Sequence, residues 1–359
     1  MKPEQATTMK TGQLAVSIII PMRNEEKYIG ECLRSVLAND FPGEHREILV
    51  VDGASTDRSR QIVEEVCSKH ANIRLLDNPD RIVPTGLNQA IRQARGRYII
   101  RMDAHTEYPS NYVRNCVSEL ERTGAANVGG RCITLPGGNT LIAKTIALLT
   151  QTRAAVGNAA YRLGQGDRYV DTVPFGAFRR DVLLQVGLYR EDLPRNQDYE
   201  LNARVRSHGH KIFLSSKVYS FYHNVPTFRA FMRQAFLNGS WNAYCWRLYP
   251  ASFCWRHAVP ALFVGGLIGS ALLTVPFRAA AWLLACELFF YVILAMTAAV
   301  EMIRKGQWNC ALLAPWLMLS YHLVYGGATL AALLHLLPKG RGNPAPNLSQ
   351  QRSGVPDSI

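Results

Sequence analysis

The first hundred residues alternate short, almost wholly apolar runs with stretches in which apolar residues recur every three or four positions. Residues 16–21 (Val-Ser-Ile-Ile-Ile-Pro) form the first run, the pattern of a strand covered on both faces in a parallel sheet. Asn24 can cap the helix that follows, on which Ile29, Leu33, Val36 and Leu37 recur at helical spacing. Residues 47–51 predict a second strand ending at Asp52, with Gly53 supplying a positive φ after it. Thr56 or Asp57 then caps a helix carrying Ile62, Val63 and Val66. A third strand is predicted over 73–76, a helix over 85–94, and a fourth strand from Tyr98 to Asp103. Strands and helices in this alternation predict βαβ units and a mostly parallel α/β sheet. In such sheets ligands sit outside the carboxyl ends of the strands, where Asp52 and Asp103 are both placed. Beyond residue 135 the pattern is weaker. Residues 136–138 read as a loop, 140–155 as helix, and 173–178 and 212–214 as late strands.

From residue 258 the pattern changes to long apolar segments, 259–275, 279–302 and 311–337. The last two reach the roughly 20 residues of a bilayer span, and the first is near the lower limit. Residues 228–250 mix aromatic and Arg residues, as suits an amphipathic helix in a headgroup layer. Four parts follow: residues 1–225 a soluble α/β domain, 226–257 an interfacial segment, 258–338 a membrane domain of about three spans, and 339–359 a Gly/Pro/Ser-rich disordered tail. The apolar run at 14–20 is short and meets Arg23, Asn24, Glu25 and Glu26 at once, so it predicts no signal peptide and a cytoplasmic soluble part.

Charge narrows the class of partner. Forty Lys and Arg against 27 Asp and Glu leave a net charge of +13, which points to an anionic partner. No compact basic block occurs, so a membrane surface and phosphate ligands are expected, and nucleic acid is not. The eight cysteines form no CxxC pair and no zinc spacing, and read as free thiols in a reducing compartment.

The candidate chemistry lies in Asp103-Ala104-His105. A strand-end carboxylate with a second donor two residues on can chelate a divalent cation that bridges the phosphates of a nucleotide diphosphate. Oxygen donors suit Mg2+ or Mn2+, and an imidazole moves the preference toward Mn2+. With Asn24-Glu25, Val51-Asp52-Gly53-Ala54-Ser55-Thr56-Asp57, Gly86-Leu87-Asn88, Gly96-Arg97-Tyr98, Phe175-Gly176-Ala177-Phe178-Arg179-Arg180 and Asn196-Gln197-Asp198-Tyr199-Glu200-Leu201, the chain resembles glycosyltransferase family 2 over about residues 14–225. With its apolar C-terminal third it is most similar to bacterial exopolysaccharide glycosyltransferases of the succinoglycan type.

The resemblance implies a GT-A fold, Rossmann-like and mostly parallel, and inversion at the donor sugar. It implies a nucleotide-sugar site at Pro21, Asn24, Glu25, Asp52, Gly86, Asn88 and Asp103, a Mn2+ or Mg2+ ion at Asp103 and His105, and Asp198 as the catalytic base. Gly176, Arg179 and Arg180 are the weaker candidates for the acceptor. The family's usual pair of acids after the second strand is here Asp52-Gly53, and its Asp-x-Asp is Asp103-Ala104-His105. If Asp198 lies on a helix, Glu200 sits about 200° around the axis, so only one of the two can serve as base. The implied reaction is transfer of a sugar, with glucose from UDP-glucose expected, to a polyprenyl-diphosphate-linked glycan at the bacterial inner membrane, the catalytic domain facing the cytoplasm. An exopolysaccharide assembly complex is a further partner that the resemblance allows. A catalytically silent nucleotide-sugar-binding subunit of an export complex and a processive synthase stay open as alternatives. The processive family members' Gln-x-x-Arg-Trp motif is not found, since Gln234 is followed by Ala-Phe-Leu-Asn.

Overall fold

The apolar runs become the parallel core of one sheet. The computed structural model describes residues 15–164 and 166–335, so the tail expected to be disordered lies outside the described residues. In chain order come β1 (Val16–Met22), α1 (Ile29–Leu37), β2 (Arg46–Asp52), α2 (Ser59–Cys67), β3 (Ile73–Asp77), α3 (Val83–Gln93) and β4 (Tyr98–Arg101). Strands β3, β2, β1 and β4 lie side by side and parallel, Val16 aligning with both Arg46 and Tyr98. Alternate residues enter opposite layers. Ile18, Ile20, Ile48, Val50 and Ile100 pack with Ile29, Leu33 and Val63 of α1 and α2. Ile19, Leu49, Val51 and Ile99 pack with Leu87 and Ile91 of α3. Burial on both faces is why these strands read as unbroken apolar runs.

The second half of the sheet is mixed. It is built from β5 (Thr106–Glu107), α4 (Tyr112–Thr123), β6 (Asn127–Leu135), α5 (Leu141–Leu149), α6 (Arg153–Val156), α7 (Ala160–Leu163), β7 (Arg168–Tyr169), β8 (Ala177–Arg179), α8 (Arg180–Val186), α9 (Gln197–Ser207) and β9 (Ile212–His223). Strand β8 runs antiparallel between β4 and β6, and β6 pairs parallel with β9. Sequence periodicity did not reveal β6, whose Gly129 and Gly130 weaken a strand reading. Both are glycines because other chain lies against them: a Cβ on Gly129 would stand 2.5 Å from Val173 Cβ, and one on Gly130 would stand 1.8 Å from the Val218 carbonyl oxygen. Two local expectations are corrected. Gly53 is not at positive φ; Ala54 takes that conformation at φ 55. Asn24, at φ 56, caps no helix; its Oδ1 accepts from Thr56 N at 2.8 Å and so joins the β1–α1 and β2–α2 loops.

The C-terminal helices are α10 (Phe228–Leu248), α11 (Trp255–Leu273), α12 (Ala280–Arg304) and α13 (Trp308–Leu333). Among the described residues α11 and α12 are long and apolar enough to cross a membrane, two where about three were expected. Helix α13 carries Tyr321, His322, Tyr325 and Thr329 on turns that face its neighbours. Helix α10 packs along it through Phe231, Ala235 and Gly239. A Cβ on Gly239 would stand 2.3 Å from the Tyr325 carbonyl oxygen, so glycine sets how closely the two helices approach.

At the amino end of the parallel strands the sheet is closed by a buried carboxylate. Glu47 accepts from Ser17 Oγ and Arg95 N, each at 2.7 Å, and pairs with Arg95 Nη2 at 3.1 Å. Burial alone would raise this carboxyl, but the hydrogen bonds from Arg95 and Ser17 outweigh it and hold the group below its usual 4.5. A folded-state value below the unfolded one contributes stability above the unfolded value and loses it as pH falls. Glu47→Ala should therefore cost about 2–3 kcal/mol at pH 7. In urea titrations the wild-type advantage over the variant should shrink as pH drops below 4.5. An advantage constant from pH 7 to pH 3 would show that the charge of Glu47 contributes nothing.

Candidate active site

At the carboxyl end of the same strands the polar groups converge. The β4 ladder ends with Met102 N donating to the Ile19 carbonyl at 2.9 Å, and the chain then turns at Asp103. Tyr108 Oη accepts from Asp103 N at 2.7 Å and fixes that turn. The organising group is Arg101, the last residue of β4, whose side chain is 7% exposed. Its guanidinium reaches Asp103 Oδ1 at 3.2 Å through Nη2 and pairs with Asp198 Oδ1 through Nη1. Burial opposes that charge, but the carboxylates of Asp198 and Asp103 outweigh burial and keep Arg101 protonated.

Asp198 stands in the first turn of α9, after Asn196 at φ 58, and its side chain is 28% exposed. Burial raises its carboxyl, Arg101 opposes, Asp103 adds to the rise, and the net direction is upward. Such a carboxylate is a better proton acceptor than a solvated one. Glu200 is excluded from that work, because it is fully buried and bound to Arg204 Nε at 2.6 Å and Nη2 at 2.8 Å. Only Asp198 of the two faces the site, as helical geometry requires.

His105 lies beyond Asp103 with Nδ1 3.0 Å from Glu25 Oε1. Burial would lower this imidazole; the hydrogen bond to Glu25 and the charge of Asp103 outweigh burial and raise it. In the neutral ring, a proton on Nδ1 toward Glu25 leaves the lone pair on Nε2, the arrangement that orients a histidine toward a metal. Asp103 keeps Oδ2 outside its ion pair with Arg101. Among the described residues no three His, Cys, Asp or Glu side chains converge as a metal cage. Asp103 and His105 are thus two donors at most, which fits a Mg2+- or Mn2+-type ion that takes its other ligands from phosphates and water.

Asp52 ends β2, 2% exposed, with Oδ1 accepting from Ser55 N at 3.0 Å. Asp77, in register with it at the end of β3, shares Arg60 with it, at 2.6 Å to Asp77 and 3.4 Å to Asp52. Pro21 lies in β1 opposite Val51. Gly86 has a packing reason, since a Cβ there would stand 2.9 Å from Val51 Cγ1 and 2.8 Å from Asn78 Nδ2. Asn88, expected at the nucleotide sugar, is buried. Its Nδ2 donates to the Tyr189 carbonyl and Glu191 Oε1, each at 2.8 Å, and its Oδ1 accepts from Tyr189 N at 2.9 Å. It is a strut that holds the segment leading to α9.

Gly176, at φ 80, accepts from Arg101 N at 3.1 Å and lies beside the site. Arg179 and Arg180 are removed from it. Strand β8 is antiparallel to β4, so Arg179 aligns with Tyr98 at the far end, about 16 Å from Asp103 at strand rise. There Arg179 pairs with Asp181 at 2.8 Å. Sequence reasoning passed over Arg101. The available signal was a lone Arg closing a buried strand, a place where an unpaired cation is not tolerated.

Residues 17–187 match the family described as Glycosyl transferase family 2. The chain is 26% identical over 325 residues to the succinoglycan biosynthesis protein ExoA of Rhizobium meliloti, covering 89% of this chain and 91% of that protein. It is 28% identical over 233 residues to a dolichyl N-acetyl-alpha-D-glucosaminyl phosphate 3-beta-D-2,3-diacetamido-2,3-dideoxy-beta-D-glucuronosyltransferase of Methanococcus voltae, covering 63% of this chain and 72% of that protein. In fold it resembles the mannosyltransferase PcManGT of Pyrobaculum calidifontis, solved with GDP-Man and Mn2+, at a TM-score of 0.57 and 19% identity over 90% of this chain and 88% of that one. The fold is of the GT-A type.

The Arg101–Asp198 pair can be tested by its energy. Arg101→Met leaves two carboxylates without their cation and should cost about 2–3 kcal/mol at pH 7. In a double-mutant cycle with Asp198→Asn, urea denaturation should return a coupling of about 1 kcal/mol or more. Additive losses would show that the two side chains do not interact.

Proposed function

Because residues 17–187 of this chain are a glycosyl transferase family 2 domain, we propose that it is a membrane-anchored, inverting hexosyltransferase. It moves glucose from UDP-glucose to a polyprenyl-diphosphate-linked glycan in exopolysaccharide assembly at the bacterial inner membrane. The observation that carries this reading is Arg101, which holds a donor-side carboxylate, Asp103, and a candidate base, Asp198, at fixed positions around one buried cation. Asp52 and Pro21, at the ends of β2 and β1, and Asn24 in the adjoining loop border the nucleotide end of the cleft. Asp198 accepts the proton of the acceptor hydroxyl as that oxygen attacks the sugar from the side opposite the departing diphosphate. Arg101 acts as a positioning residue that keeps Asp198 aimed and ionised.

The residues fit a divalent cation at Asp103 and His105, with Glu25 orienting the imidazole. When bound, the ion supplies positive charge to the departing diphosphate. Mn2+ suits a set containing an imidazole, and Mn2+ accompanies GDP-Man in the solved protein of like fold. The acceptor class is supported by the two relatives, one named for succinoglycan biosynthesis and the other for transfer to a dolichyl-linked sugar phosphate. Membrane attachment is supported by α11 and α12, whose outward residues Trp282, Phe289, Phe290 and Leu272 are exposed. Residues 1–225 form the catalytic part in this reading, 226–257 its seat at the headgroup layer, and 258–338 the anchor.

Three measurements test it. Purified full-length protein should release UDP from UDP-glucose in the presence of lipid-linked acceptor, and Asp198→Asn should lower turnover about 100-fold with donor affinity unchanged. Near-wild-type turnover in that variant would remove Asp198 as the base. Chelator should abolish turnover, with Mn2+ restoring it more fully than Mg2+. Glu25→Ala should weaken Mn2+ binding about 10- to 100-fold, as read by electron paramagnetic resonance of the free ion. Unaltered binding would mean that His105 is not a ligand.

A further inference from the structure

Between α9 and the C-terminal helices lies a cavity of about 300 Å³. Arg162, Asn196, Tyr199, Asn242, Arg256 and Tyr325 are among the residues lining it. A second cavity of about 90 Å³, lined by Gln234, Asn238 and Tyr321, adjoins it through Arg162, which lines both. Neither lining includes Asp103, His105 or Asp52, so this space is distinct from the donor-side carboxylates.

The cations here are short of counter-charge. Arg162 makes no ion pair with any described residue; its Nη1 donates to Thr134 Oγ1 at 3.2 Å, and its guanidinium lies 5.5 Å from the centre of the Tyr161 ring. Arg195, three residues before Asp198, likewise has no carboxylate partner among the described residues, and its Nη1 donates to Asn238 Oδ1 at 3.0 Å. Arg256 pairs with Asp171 at 2.7 Å through Nη1 and lies 5.6 Å from the centre of the Tyr199 ring, and its buried Nε and Nη2 have no hydrogen-bond partner among the described residues. Asn238, which accepts from Arg195, lines both cavities together with Arg162, so the two cations face one region. Tyr222 in turn lies against His105, its ring 5.2 Å from the imidazole, which sets this region beside the donor end.

A buried cation without a counter-ion is costly, and a guanidinium fork matches phosphate oxygens in pairs. The surrounding helices have exposed apolar faces, so the fitting anion is the head of an amphiphile. We propose that Arg162 and Arg195, with Asn238 and Tyr321, form the binding site for the diphosphate of an isoprenoid-linked acceptor. This rests on the transferase reading above and names where that acceptor is held. Asn196, in the wall of the cavity, is two residues from Asp198, so an acceptor anchored there presents its sugar to the base.

The test is equilibrium binding of radiolabelled farnesyl diphosphate to the full-length protein in neutral detergent micelles, with UDP binding as the check on folding. Wild type should bind farnesyl diphosphate, with farnesol and phosphatidylglycerol failing to displace it. Arg162→Gln and Arg195→Gln should each weaken binding about 10-fold or more, Arg162→Lys should recover part of the loss, and UDP affinity should be unchanged throughout. With lipid-linked acceptor, the same Gln variants should raise the acceptor KM more than they lower kcat. This pattern supports the site even in a protein that transfers no glucose, a result that would overturn the hexosyltransferase reading alone. Wild-type affinity in both Gln variants would overturn the proposal. So would an equal loss of UDP affinity, which assigns the cations to the donor, and so would displacement by phosphatidylglycerol, which assigns them to bulk lipid headgroups.

Discussion

A guanidinium buried at the end of a β-strand is tolerable only if carboxylates meet it, and the α/β half of this protein is arranged around that requirement at Arg101. The strand brings Arg101 to the carboxyl edge of the sheet, the turn after it supplies Asp103, and α9 supplies Asp198 from nearly a hundred residues further along the chain. One cation therefore joins the turn after β4 to the first turn of α9. The contact also sets the electrostatics. Asp198, raised by burial and by Asp103, is opposed by Arg101 alone among its principal neighbours.

The rest of the sheet keeps that contact in place. At the opposite end of the parallel strands, Glu47 gathers Ser17 and Arg95 and closes the sheet with all its oxygens engaged. At the carboxyl end, Asn88 of α3 grips the backbone at Tyr189 and so steadies the segment that leads into α9. The contrast is one of satisfaction. The closed end spends its polar groups on each other, whereas the open end leaves Asp103 Oδ2, the second nitrogen of His105 and the exposed edge of Asp198 for a ligand.

The C-terminal helices continue the same division. Helix α13 is the axis on which α10, α11 and α12 pack, and its close contacts at Gly239 and Gly326 depend on the absence of side chains there. Its polar residues turn toward α10 and α12, and Asn238 of α10 links Arg195 to Tyr321. The apolar surfaces of α11 and α12 turn outward. A cationic cavity thus lies between the sheet domain and helices with exposed apolar faces.

What the sequence determined by itself was whatever depends on short-range periodicity. Residues 16–100 read correctly as alternating strands and helices, because burial on both sheet faces leaves short continuous apolar runs distinct from the helical spacing between them. Asp52 and Asp103 were legible as strand-end carboxylates, His105 as a candidate second donor two residues on, and Asp198 as a candidate through the resemblance of ordered motifs. Only the tertiary structure could decide pairings between distant residues. Strand β6 was hidden because its glycines answer to Val173 and Val218, not to their own neighbours. Arg179 and Arg180 left the site because β8 runs antiparallel to β4, a direction that local pattern does not encode. Arg101 gained its meaning only when α9 folded back over β4 and placed a carboxylate against it, since a charge at a strand end is ambiguous until its partner in space is known.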